Sequence, residues 1–105
     1  MQIQVNSDHH IEGLEALAAH VRGVAESELS RLSDHITRVE IHLSEVSSQE
    51  SSQNDKRCMM EARLEGRQPV AVTDHAATLD QAVDGAADKL ARLIESTLGR
   101  LRDRR

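Results

Sequence analysis

The groups best placed to do chemistry lie near the end of the chain. Residues 89–105 carry six basic side chains against two acidic ones, net +4, in a protein whose formal net charge is −5. They follow the run VDGAADKLAR, residues 83–92. At about 100° per residue on a helix, Arg100 falls within about 20° of Lys89, with Arg92 and Arg104 about 60° to either side. Cations in such a stripe can neutralise phosphates along a nucleic-acid backbone, a contact that positions a protein without reading bases. A solvated helix face, or cations complementing a helix C-terminus, would produce the same pattern without a ligand.

Other reactive residue types do not assemble into a site. Six histidines are scattered: His9 and His10 in a turn, His20 on a helix, His35 before a strand, His42 pointing outward from it and His75 in a loop. No pair has the spacing of a zinc site, and a single cysteine cannot build a thiolate cluster. Cys58 alternates with core positions and reads as a buried structural thiol. Asp74 and His75 sit near serines, yet no nucleophile elbow accompanies them. Gly13, Gly23, Gly66, Gly85 and Gly99 form no phosphate-cradling loop. We therefore expect no catalysis, no metal, no cofactor and no small-molecule substrate.

The elements that must hold the basic stripe are legible in the hydrophobic periods. MQIQVN alternates, with Ile3 and Val5 on one face, as a strand does. From Leu14 to Leu32 the spacing becomes helical (Leu14, Leu17, Ala18, Val21, Val24, Ala25, Leu29, Leu32), and Asp8 has the side chain of an N-cap at the start. ITRVEIHLSEV alternates again, with Val39, Ile41 and Leu43 inward. SSQESSQND, residues 47–55, has no apolar residue and reads as a mobile loop. KRCMMEARLEG turns Cys58, Met60, Ala62 and Leu64 inward, and Arg57, Met59, Glu61 and Arg63 outward. GRQP is a tight turn, and VAVT a short fourth strand that begins after the only proline. A long helix then runs from about Ala77, its buried stripe formed by Leu79, Ala82, Val83, Ala86, Leu90, Leu93, Ile94 and Leu101. The order β-α-β-β-β-α predicts an α+β fold: one four-stranded mixed sheet with two helices packed on one face, and a single domain over residues 1–105. The first two strands, joined through a helix, should be parallel.

Composition narrows the function further. The chain of 105 residues has no Phe, Tyr or Trp, so the core must be aliphatic. The stacking platforms of single-strand binders are absent as well. One cysteine suits a reducing compartment, MQIQVNSD lacks a signal-peptide pattern, and no apolar run is long enough to span a bilayer. A cytoplasmic protein without membrane contact is expected.

Against this background LDQAVDGAADKLARLI, which opens the terminal helix, resembles the second helix of the ribosome hibernation-promoting factor and ribosome-associated inhibitor family, the sigma-54 modulation protein-like group. There an acidic residue and small apolar positions precede D-K-L-x-R and further basic turns, and Val83, Asp84, Gly85, Asp88, Lys89, Leu90, Ala91 and Arg92 match in order. The opening MQIQV strand, the ITRVEIHL strand and the element order extend the resemblance over nearly the whole chain. It implies a stationary-phase, stress-linked translation regulator on the small ribosomal subunit, seated where messenger and transfer RNAs would lie. The contacts it implies are basic side chains on the helices and sheet against ribosomal-RNA phosphates, and by position Lys89, Arg92 and Arg100 are the implied ones, with Arg102, Arg104 and Arg105 as additions. Helix one, with Arg22 and Arg31 on opposite sides among Glu12, Glu15, Glu26 and Glu28, offers no basic face. The family's long form adds a dimerisation domain, and this chain resembles the short form. The alternative is a member that has lost ribosome binding and uses helix two for an acidic partner protein or, in a weak homo-oligomer, for a second copy of itself.

Overall fold

The computed structural model describes residues 1–7, 14–45 and 56–102, with Leu14 and residues 100–102 described as backbone. The elements are β1 (Gln2–Ser7), α1 (Leu14–Leu29), a 3₁₀ segment (Ser30–His35), β2 (Ile36–Glu45), β3 (Lys56–Leu64), β4 (Val70–Ala76) and α2 (Leu79–Arg102). The sheet has the order β1-β2-β3-β4. β1 runs parallel to β2, with Ile3 opposite Val39 and Val5 opposite Ile41, and the other two pairings are antiparallel. Both helices lie over the same apolar face and touch each other. The expected β-α-β-β-β-α architecture is therefore the observed one. Asp8 and the stretch 47–55 lie outside the described residues.

The alternation of each strand decides which side chains enter the core. Val39, Ile41, Leu43, Cys58, Met60, Ala62 and Leu64 are buried, facing Ala18, Val21, Ala25 and Leu29 of α1 and Ala82, Val83, Ala86, Leu90 and Ile94 of α2. With no aromatic rings to fill space, alanines let the layers approach closely. Ala87 and Ala91 are buried too, while Leu93 is only half-buried. The buried arc of α2 is wider than one stripe because this helix covers β3 and β4 and also meets α1. Ile3, Val5, Val70 and Val72 are half-buried, since β1 and β4 are edge strands with a neighbour on one side only.

Three boundaries differ from the sequence reading. The helix expected to reach Leu32 ends at Leu29, and the chain tightens into the 3₁₀ segment. Its three-residue turn keeps Leu32 buried on the same side as Leu29. β4 does not stop at Thr73: Asp74, His75 and Ala76 continue the ladder opposite Cys58, Arg57 and Lys56, so His75 belongs to a strand and not to a loop. α2 begins at Leu79 because Thr78 caps it, its Oγ1 accepting the Gln81 N–H at 3.1 Å. Between β3 and β4 the Arg67 N–H donates to the Leu64 carbonyl at 3.1 Å. Gly66 takes φ 71° there, a left-handed conformation that side chains disfavour.

Candidate nucleic-acid interface

α2 holds the basic residues in a line because its apolar arc is anchored to the sheet. Lys89 and Arg92 fall on the exposed side. Arg100 and Arg102 lie in the last turns of the helix backbone, and Arg104 and Arg105 lie outside the described residues. The stripe thus exists as geometry at Lys89 and Arg92, on a helix that carries Arg100 and Arg102 farther along.

Its electrostatics differ from the sequence picture of bare cations. Asp74 lies on the helix-facing side of β4, next to Cys58 across the ladder. The Lys89 ammonium contacts Asp74 Oδ1 at 2.7 Å and donates to the Thr73 carbonyl at 3.4 Å. The same carboxylate occupies the space that a Cβ at position 85 would need. Gly85 is therefore the notch through which β4 and α2 come close enough to pair. Arg92 bridges to Asp88 Oδ2 at 3.1 Å, one turn away on its own helix. Both leading candidates carry an acidic partner, and a phosphate must displace that partner to be bound.

Further polar contacts join the helical layer. Arg31, expected on α1, sits in the 3₁₀ segment and pairs with Glu95 of α2. His20 Nε2 lies 3.4 Å from Asp80 Oδ1, from α1 to α2. The Cys58 thiol is fully enclosed. Burial first, and then the Asp74 charge, pushes its pKa up to about 12, so it stays a neutral thiol and is no nucleophile. Among the described residues, no three His, Cys, Asp or Glu side chains converge as metal ligands would, and no helix is long and apolar enough to cross a membrane.

Sequence reasoning missed Asp74 as a partner of Lys89. The residues are 15 positions apart, and the signal available, a glycine inside an otherwise good helix, shows only that something comes close.

Comparison with known proteins agrees with this architecture. Residues 3–102 match the family model described as sigma 54 modulation protein / S30EA ribosomal protein. The chain belongs to this family. No curated protein gives a significant match to the S30EA-family chain. Among solved structures, it is similar to a ribosomal subunit interface protein from Coxiella burnetii, with 17% identity, a TM-score of 0.69, and coverage of 94% of this chain and 99% of that one. It is also similar to the N-terminal domain of Protein Y from Thermus thermophilus, with 24% identity, a TM-score of 0.66, and coverage of 92% and 99%. At these identities the likeness establishes a shared fold.

Proposed function

We propose that this S30EA-family protein is a non-enzymatic ribosome hibernation factor of the cytoplasm, active when growth slows or under stress. In this reading it binds the small ribosomal subunit through RNA phosphates, using Lys89, Arg92 and Arg100 of α2, with Arg102, Arg104 and Arg105 extending the contact. The observation that carries the reading is the family match across residues 3–102, which includes the whole of α2. The surface supports it: among the described residues Met1 is the only large hydrophobic side chain that is exposed. A partner protein would find little to bury, whereas a polyanion needs only charge. The absence of aromatics directs the contact to the RNA backbone rather than to stacked bases.

Co-sedimentation with purified small subunits across a salt series tests the proposal. Each neutralised phosphate adds about 0.7–0.9 to the slope of log affinity against log salt. Replacing Lys89, Arg92 and Arg100 together with Gln should weaken binding at least tenfold and flatten the slope by about two units. The paired control Arg22→Gln, Arg31→Gln should do much less. Binding by the parent that is insensitive to salt would point to an apolar protein contact and overturn the proposal.

A further inference from the structure

The two edges of the sheet are not protected alike. β4 carries the guards that keep a terminal strand from pairing with another chain. Pro69 stands just before it, and Asp74 is a charge on its helix-facing side, held by Lys89 at 2.7 Å. β1 carries none. Its residues, QIQVNS, include no charge, proline or glycine, and their register with β2 runs unbroken from Gln2 opposite Arg38 to Ser7 opposite Leu43. The outer edge of β1 has no strand partner among the described residues. Every second residue there turns its backbone N–H and C=O away from β2, a row that another extended chain can complete.

The side chains flanking that row decide which chain fits. On the helix side Ile3 and Val5 pack against the core yet are only half-buried. On the open side stand Gln2, Gln4 and Asn6, all uncharged. This order is self-complementary about Gln4. When a second β1 runs antiparallel with Gln4 opposite Gln4, Ile3 meets Val5 of the other copy and Gln2 meets Asn6, apolar against apolar and amide against amide. A shift by one residue would turn the apolar pair of one copy to the amide side of the other, and a shift by two would shorten the overlap. The pairing is isologous and closes on itself. It relies on backbone hydrogen bonds more than on apolar area, which suits a surface with so little exposed hydrophobicity. It also extends the sheet in its own plane, leaving α2 uncovered.

Two quantities set its strength. The overlap of residues 2–6 is about 17 Å long, a narrow strip beside a standard interface of about 1,200–2,000 Å², so the association is weak. Each copy carries a net charge of −5, and Glu15, Arg22 and Glu26 are exposed on α1, the helix that packs on β1. Repulsion between copies therefore opposes pairing, and salt screens it.

We propose that β1 is a self-association edge, through which two copies pair antiparallel about Gln4 and join their four-stranded sheets into one. This assigns a homo-oligomer to β1 and not to α2, and it does not depend on the ribosomal reading. Sedimentation equilibrium of the full chain from about 10 µM to about 1 mM tests it, with the variants Gln4→Lys and Gln4→Glu. Position 4 is exposed, opposite Glu40 and in contact with Arg38, which donates to Gln4 Oε1. Either new charge thus finds one unlike neighbour within its own fold, and the melting temperature of each variant shows that it is folded. Across the pair, position 4 meets itself, so each variant alone should associate roughly fivefold more weakly than the parent. An equimolar mixture of the two should recover the loss, because Lys then faces Glu. Association of the parent should hold or strengthen as salt is raised, the reverse of phosphate binding. A parent that stays monomeric at about 1 mM overturns the proposal. So do variants that associate as the parent does, or a mixture that associates no better than its components. Dissociation by salt would transfer the contact to the basic stripe of α2 and likewise overturn it.

Discussion

At the scale of single residues, the chain compensates its own RNA-binding candidates. Asp88 holds Arg92 and Asp74 holds Lys89, so in the free protein neither cation is bare. The Arg92–Asp88 pair is exposed, and such i,i+4 pairs stabilise by only about 0.3–0.5 kcal/mol. Its larger effect is on binding, because a phosphate approaching Arg92 meets the Asp88 carboxylate as well. Asp88→Asn should therefore tighten association with small subunits several-fold at low salt, with the gain shrinking as salt is raised and folding stability nearly unchanged. Titration of subunits at two ionic strengths checks this, and an Asp88→Asn protein that binds more weakly would show that Asp88 orients Arg92 instead of shielding it.

At the scale of elements, the contact between β4 and α2 depends on one glycine and one carboxylate. Alanine at 85 would favour the helix by about 1 kcal/mol. Its Cβ, however, claims the space of the Asp74 carboxylate, which must then rotate away from Lys89. The two effects oppose each other, so Gly85→Ala alone should be neutral to destabilising. In an Asp74→Ser background the obstruction is removed, and the same Gly85→Ala change should stabilise by about 0.5–1 kcal/mol. A double-mutant cycle in urea would then give a coupling of at least 0.5 kcal/mol. Asp74 also serves the edge: an inward-pointing charge on a terminal strand discourages pairing with another chain, and Lys89 neutralises its cost.

At the scale of the whole molecule, stability rests on an aliphatic core that includes the buried Cys58, and that thiol gives the fold an alkaline limit. The thiol's pKa rises from its ordinary 9.0 to about 12 on folding. Between those values the folded state holds a proton that the unfolded chain has released, so stability falls as pH rises, by at most about 1.4 kcal/mol per pH unit from this group. Below pH 9 the contribution is complete. Urea unfolding between pH 8 and pH 11 should show the decline, and a Cys58→Ala protein, less stable at neutral pH through its cavity, should show a shallower one. Equal slopes would mean that other groups set the alkaline limit.

What the sequence alone determined about this protein is everything governed by short-range periodicity. The alternation of Val39, Ile41 and Leu43, or of Cys58, Met60, Ala62 and Leu64, names the buried face of each strand, because successive side chains must point to opposite sides. The 3.6-residue spacing in α2 likewise places Lys89 and Arg92 opposite Val83 and Leu90. The order of elements and the shortness of the connections leave few ways to cover one sheet face with two helices, and the family pattern could be read within a single helix. Tertiary structure alone decided which charges remain available. Lys89 is tied to Asp74 and Arg31 to Glu95 because folding brings distant segments within a few ångströms. Arg63 has no acidic partner among the described residues, and the β2–β3 register sets it opposite Arg38. Ile3, Val5, Val70 and Val72 are half-exposed because β1 and β4 lie at the sheet edges. A hydrophobic period records which way a side chain points, whereas strand order, register and interlayer spacing determine what it meets there, and the strength of an electrostatic contact depends on that distance.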